Sequence, residues 1–354
     1  MGLRTAALAA LLVTACSAPA TDGSSSPAVP PNTPSSTAAA PERTLDQRAA
    51  DAEADAATYD GIVTGISIAL VQDGELRTMI HGPAVDDPDQ RFMVASVSKP
   101  MVAAAVLTLV GAGDLALDDT VEELAPGLLP RSPGVTVEQL LSMSSGLADY
   151  ADARRYRGPF TTSSADLVAL VAQAPPEFPP GAQGDYHNTN FAVLDVLVQQ
   201  VTGHSLPALL ERTVVGPLHL RHTSLDDRPD LAGTDADDQP YRPRIEEPSA
   251  AGGIVASAGD VARFLDALAS AELLPPELVA DMEADHAHLD FGTYGLGLTR
   301  DETPCGTAYG HVGNNDGFEA AAWTVPEQGR TVVALVNAAD VEAAQSLVAH
   351  ALCD

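Results

Sequence analysis

Lysine is almost missing from this chain: Lys99 stands alone among 354 residues. Positive charge of any kind is scarce, with 18 Lys and Arg against 49 Asp and Glu and a formal net charge of −31. Phosphate backbones are held by clustered positive charge, so nucleic acid is excluded as a partner, and anionic lipid head groups would repel the folded surface. The apolar run Ala6 to Val13 is too short to span a bilayer as a helix. From Ser17 to Pro41 bulky apolar side chains are lacking, which excludes a packed core there. The acidic loop Asp226 to Asp238 lacks the ligand spacing of a calcium loop and reads as a solvated face.

What is present at the N-terminus has the form of an export signal. The first fifteen residues carry one charge, Arg4, and run through the apolar segment into Val13-Thr14-Ala15-Cys16. That tetrapeptide resembles the lipobox of bacterial lipoproteins, in which the cysteine becomes the lipidated first residue. Ala18-Pro19-Ala20 is an alternative small-x-small cleavage site that would release a secreted protein. The expected organisation is a signal peptide over 1–15, a lipidated Cys16 with an extended Ser/Thr/Pro/Ala tether over 16–44, and one folded domain over 45–354. Such a protein is exported and held outside the cytoplasm on the membrane by its lipid.

The single lysine follows Ser96 by three residues, in Ser96-Val97-Ser98-Lys99. Residues three apart share a helix face, so the amine can reach the hydroxyl and take its proton as it attacks a carbonyl. Pro100 is tolerable only in a first helical turn, which places a helix start close to Ser96 and the helix over Ser96 to Gly111. Before it, a helix is expected near Leu45 to Ala57. A hairpin follows, from Ile62 to Val71 through Asp73-Gly74 to Leu76–Ile80. The middle, about Val121 to Leu289, has mostly helical periodicity. Short strands return at Tyr309–Gly313, Phe318–Val325 and Thr331–Asn337, with a last helix over Val341–Leu352. The fold class is therefore α+β: an antiparallel sheet flanked by helices and built from both chain ends (45–95 and 291–354), with a mostly helical lobe inserted over 96–290.

Two more motifs lie downstream. Tyr186-His187-Asn188 precedes an amphipathic stretch, and His311-Val312-Gly313 falls on an expected strand. With Ser96-x-x-Lys99 they occur in the order Ser-x-x-Lys, Tyr-x-Asn, Lys/His-x-Gly. In this the folded part of the chain resembles the serine β-lactamase and penicillin-binding-protein superfamily, which holds class C β-lactamases, DD-carboxypeptidases and related esterases. Leu140 to Leu147, Ala251-Gly252-Gly253-Ile254 and Tyr294-Gly295-Leu296-Gly297 support the resemblance. It implies Ser96 as nucleophile, Lys99 and Tyr186 sharing acid/base work, and Asn188 orienting the lysine and the substrate carbonyl. An oxyanion hole at the Ser96 and Asn314 backbone N–H groups, beside Gly313, and a substrate-facing His311 complete the implied set. No metal or organic cofactor is required.

Departures from the family pattern bear on substrate. His311 stands where class C β-lactamases carry lysine, and no Ser-Asp-Asn motif with a deacylating glutamate is found, which disfavours a dedicated β-lactamase. Val312 replaces a threonine that in carboxypeptidases binds a terminal carboxylate. Arg300, eleven residues before His311, resembles an arginine that some of these peptidases use for it. The expected activity is that of a D-alanyl-D-alanine carboxypeptidase-like peptidase, the alternatives being an esterase or β-lactamase of the same fold, or a non-catalytic penicillin-binding lipoprotein. Partners are then small molecules or peptides: a peptidoglycan stem peptide, an ester or a β-lactam.

Three apparent motifs carry less. Gly65-Ile66-Ser67-Ile68-Ala69 approximates a nucleophile elbow but alternates like a strand interior. His286 to Asp290 reads as an exposed polar loop, and Arg154, Arg155 and Arg157 as a basic cluster on a loop. Once Cys16 is lipidated or lost with the signal, Cys305 and Cys353 are the only cysteines of an exported chain, and a disulfide between them is expected.

Overall fold

The computed structural model describes residues 43–150, 163–225, 228–234, 240–241, 250–315, 317–338 and 342–353. Cys16 with its expected tether as far as residue 42, the arginines at 154, 155 and 157, and residues 226–227 and 235–238 of the acidic loop lie outside these residues. In chain order the elements are α1 Leu45–Ala57, β1 Ile66–Gln72, β2 Glu75–His81, β3 Phe92–Met93 and α2 Ser98–Ala112. There follow α3 Val121–Leu124, α4 Val137–Leu141, α5 Ser164–Val171, α6 Thr189–Thr202 and α7 Leu206–Leu210. Next come β4 Thr223–Leu225, β5 Gly233–Thr234, β6 Pro240–Tyr241, β7 Ile254–Ala256, α8 Ala258–Ala269 and α9 Pro276–Met282. The last elements are β8 Ala287–Leu289, β9 Gly292–Tyr294, β10 Thr299–Thr303, β11 Gly306–Asn315, β12 Phe318–Val325, β13 Arg330–Val336 and α10 Ala343–Cys353.

Eight strands form one antiparallel sheet in the order β2-β1-β13-β12-β11-β10-β9-β8. Both ends of the chain supply it. Side chains alternate across a strand, and here both faces are covered, so the central strands β1 and β13 are buried nearly throughout. Ile66, Ile68 and Leu70 turn toward α1 and α10, while Ala69 and Val71 turn to the larger core under the helical lobe. Thr44 and Gln47 form a capping box that starts α1. The buried Glu319 carboxylate accepts from the Glu342 and Ala343 backbone N–H groups at the start of α10, and Arg330 Nη1 donates to Leu352 O at 2.8 Å near its end, both in the sense that favours a helix dipole. The disulfide Cys305–Cys353, with Cα atoms 5.3 Å apart, ties the same helix to the turn before β11, as expected.

Several boundaries differ from the sequence reading. The first strand begins at Ile66 rather than Ile62, because Asp60 and Val63 close a tight turn that leaves Ile62 exposed. The inserted lobe is not helical throughout: it also holds the pair β5-β6 and the strands β4 and β7, which join β3 just ahead of the lobe in a three-stranded sheet β3-β7-β4. The main sheet takes up the chain at Ala287, four residues before the lobe boundary expected at 291. His286 to Asp290 is thus not a free polar loop. Ala287 and Leu289 are buried in the edge strand β8, and His286 is held by Glu138 Oε1 at 3.1 Å and Asp281 O at 2.9 Å. Ser67 lies inside β1 with a buried side chain, which disposes of the nucleophile elbow.

Candidate active site

The Ser96 turn is built where a short sheet meets the central helix. Met93 ends β3, a single 3-10 turn spans Ala95–Val97, and α2 starts at Ser98 with Pro100 in its first turn. The serine is therefore in the turn before the helix rather than at its first position. Ala95, just ahead of it, has φ of 48°, a left-handed conformation uncommon for a side chain with a Cβ. Its neighbours hold it there: Val94 N–H donates to Ile254 O, and Ile254 N–H donates to Ser98 Oγ, both at 3.0 Å. By length and composition Ala95–Ala112 could cross a bilayer, yet 72% of it is buried inside the protein, where it serves as the core helix.

Lys99 has no exposed surface. Its Nζ donates to Ser96 Oγ at 2.9 Å and to Ala251 O at 2.6 Å, and lies 4.8 Å from the Tyr186 ring centroid. Burial drives its pKa well below 10.5, against a smaller raising influence from Asp149. The neutral amine then has a lone pair for the serine proton. Of the two contacts expected of Asn188, the one to the lysine is not made: its Oδ1 is buried without a partner, and the Ala251 carbonyl accepts from the amine instead.

Tyr186 is partly exposed at its ring but buried at its hydroxyl, which has no partner at hydrogen-bonding geometry. Burial raises its pKa above 10.0, only partly offset by Ser96, so the phenol keeps its proton at neutral pH. The loop carrying it is pinned from both sides. Asp185 N–H donates to Met143 O, His187 Nδ1 donates to Leu147 O at 2.6 Å, and Ser145 Oγ donates to Asn190 Oδ1 at 2.5 Å. Thr189 Oγ1 accepts from Tyr150 N–H and donates to Ala148 O, each at 2.8 Å. Leu140 to Leu147 thus acts as a clamp on Tyr-x-Asn, a role that spacing does not disclose. His187 Nε2 also faces Asp185 and Glu177 at 3.5 and 3.9 Å, an ordinary arrangement on so acidic a surface.

β11 brings the third motif. Its neighbour β10 pairs only as far as Gly310, so residues 311–315 run on past that strand toward the Ser96 turn. A Cβ at Gly313 would lie 2.4 Å from Val94 O and 3.0 Å from Ser96 N, so only glycine lets the strand close on the turn. That approach sets Gly313 against the Ser96 backbone N–H, with Asn314, the second expected oxyanion donor, next in the strand. Gly297 works alike on the other side of the helix: at φ +82°, a Cβ there would meet Ala103 Cβ at 2.4 Å.

His311 is buried and neutral. Burial, then the nearby Lys99, push its pKa down to about 3. Nδ1 donates to Val312 O at 2.5 Å, so Nε2 carries the lone pair and accepts from the Tyr294 hydroxyl at 3.2 Å. Val312 points away from it, into the cluster beneath α1 and α10. The exchange of threonine for valine therefore weighs less on carboxylate binding than the sequence suggests, since this side chain faces the far side of the sheet. Arg300 pairs with Tyr309, two residues from His311, and so shares the site face; its Nη2 is bound to Glu302 Oε1 at 2.8 Å.

A serine 2.9 Å from a buried amine of lowered pKa, beside a tyrosine that keeps its proton, is an arrangement suited to acyl transfer through the serine. The chain belongs to the Beta-lactamase family, whose model matches residues 43–352. It is 31% identical over 255 residues to Esterase EstB of Burkholderia gladioli, covering 59% of this chain and 65% of the esterase. It is 28% identical over 288 residues to the D-aminopeptidase of Cereibacter sphaeroides, covering 74% of this chain and 53% of that protein. Among solved structures, a D-stereospecific amidohydrolase from Streptomyces sp. superposes with a TM-score of 0.74 at 26% identity, over 86% of this chain and 98% of the other. The chain thus spans less than two thirds of the length of the curated relatives it matches.

Proposed function

We propose that this enzyme hydrolyses carboxylic esters and amides lacking a free carboxylate beside the scissile bond, through an acyl-enzyme on Ser96. The observation that carries the reading is the neutral, buried His311 at the strand position facing the site. A substrate carboxylate placed there would be desolvated without a counter-charge. Arg300 on the same face is already paired with Glu302, and Asp149 adds negative potential around Lys99 and Tyr186. Relatives named as an esterase and a D-stereospecific amidohydrolase point the same way.

In the proposed cycle Ser96 Oγ adds to the carbonyl carbon while its proton passes to Lys99 Nζ. The oxyanion is held by the Ser96 and Asn314 N–H groups. Collapse expels the alcohol or amine, which takes the Tyr186 phenolic proton, and the lysine ammonium restores it. Water then adds to the acyl carbon, giving its proton to the same relay, and Ser96 leaves as the hydroxyl. The D-alanyl carboxypeptidase remains a second reading, favoured by Arg300 lying on the His311 face. Initial rates with p-nitrophenyl esters, a D-amino-acid amide, a D-Ala-D-Ala peptide and a penicillin separate the two. The first reading predicts that the carboxylate substrates are slower by about tenfold or more in kcat/KM, the loss of one charge-assisted contact; the reverse order supports the peptidase.

We also infer that the protein is exported and anchored through a lipid on Cys16. The reading rests on the N-terminal sequence together with a disulfide, a bond that persists in oxidising compartments. The intact mass of the mature protein from its own host tests it: an unmodified N-terminus after Ala20 would mean secretion instead.

A further inference from the structure

We propose that Phe291 is a specificity-determining residue that forms an apolar wall of the acyl site, and that the preferred substrate presents an aromatic or branched apolar group beside its scissile carbonyl. The inference rests on the acyl-enzyme at Ser96 but not on whether the substrate is an ester, amide or peptide.

Large apolar side chains are buried almost everywhere in this protein. Among the described residues only Ile62 and Phe291 stand out as exposed large hydrophobics, at 57% and 41%. Ile62 follows from a local turn, and single exposed apolar residues need no further explanation. Phe291 differs in what it touches. It caps the β8–β9 hairpin, and its ring centroid lies 5.7 Å from that of Tyr186 at 69°. Tyr186 in turn meets Tyr294 at 6.2 Å and His311 at 5.9 Å. Aromatic residues make up 4% of the chain, so three of them with an imidazole in one file is a concentration that packing elsewhere does not require. The file runs from the buried Tyr294 outward past the acid/base tyrosine to an open aromatic edge.

The chemistry agrees. A neutral imidazole and a phenol with its proton in place give this wall no net charge. Aromatic faces and edges of that kind gain from contact with apolar and aromatic groups. The hairpin is also held in place: a Cβ at Gly184, two residues before Tyr186, would lie 2.7 Å from Leu289 Cδ2, so the Tyr186 loop and the β8–β9 hairpin are in direct contact and Phe291 is fixed relative to the reacting centre.

Boronic acids test the proposal without presuming the leaving group. Addition of Ser96 Oγ to boron forms the O–B bond, and the serine proton moves to Lys99, leaving a tetrahedral boronate in the acyl site. Dissociation constants of phenylboronic and methylboronic acid are measured by calorimetry on the wild type, Phe291→Ala, Phe291→Leu and, as a control for adduct formation, Ser96→Ala. The expected result is a preference for phenyl in the wild type, a loss of about tenfold for phenyl in Phe291→Ala against less than about twofold for methyl, and partial recovery in Phe291→Leu. Equal effects on the two probes, or none, would overturn the proposal. Failure to turn over esters would overturn the proposed substrate class while leaving this comparison readable.

Discussion

Lys99 and Ser96 share one hydrogen bond, 2.9 Å from amine to hydroxyl, in a place that water does not reach on the lysine side. The other acceptor of the amine is a backbone carbonyl, and among the described residues no carboxylate lies within ion-pair distance of it. The faces of Tyr186 and Phe191, at 4.8 and 5.6 Å, favour the ammonium by about 0.5 to 2 kcal/mol each. Desolvation outweighs them, and the lysine is tuned as a base.

The first prediction follows from that tuning. Protonation removes the base, so kcat/KM should rise with pH through the depressed Lys99 pKa and then level off. No alkaline fall should occur near 10, because Tyr186 titrates higher than an ordinary tyrosine. Lys99→Arg keeps a charge that cannot be shed near neutrality. It should lower acylation by orders of magnitude and abolish the acid limb. An unchanged profile in this variant would make the lysine structural.

Tyr186→Phe removes a hydroxyl that has no structural hydrogen bond to lose. Stability should hold within about 0.5 kcal/mol, while the acyl-transfer rate falls by about 10²- to 10⁴-fold. Thermal unfolding and single-turnover kinetics on one preparation separate the two; a large fall in Tm with unchanged turnover would show a packing residue.

His311 gives a pH-dependent stability. Its folded pKa, about 3, lies below the unfolded value of 6.5, so the unfolded chain binds the proton first as pH falls. Its contribution is complete above pH 6.5 and is lost progressively down to about 3. A wild-type Tm that drops more steeply over that window than that of His311→Gln is expected, the difference reaching a few kcal/mol at most. Parallel curves would mean that the imidazole charges freely in the fold.

Much of this was legible in the sequence, for identifiable reasons. Ser96, Lys99, Tyr186 and His311 sit in short motifs whose chemistry depends on residue type. The two-ended sheet follows from strand patterns at either terminus, and the disulfide from counting cysteines. Contributions made by backbone or by tertiary approach were not legible. The Ala251 carbonyl on Lys99 has no side-chain signature, and Asp149 stands outside any motif. Tyr294 was visible as part of Tyr294-Gly295-Leu296-Gly297, but not as the donor to His311 Nε2, nor was the Val312 carbonyl as the acceptor that fixes the His311 tautomer. The face that Val312 occupies was not legible either, because comparing residue types at one position does not say to which side of the sheet the side chain turns.

The disulfide should stabilise the fold more than the site. Closing a separation of 48 residues contributes roughly 4 kcal/mol in the chain-entropy model. Cys305→Ser with Cys353→Ser should lower Tm while kcat/KM at 25 °C stays within about twofold, since the bond ties α10 to the sheet face away from Ser96. Loss of activity without loss of Tm would contradict that separation.

The central claim is tested most directly by rapid quench of the protein with an activated ester, followed by intact and peptide mass spectrometry. The account predicts one acyl group per chain, located on Ser96, formed at a rate that collapses in Lys99→Arg and absent in Ser96→Ala. An acyl group on any other residue, or full ester hydrolysis by Ser96→Ala, would contradict it.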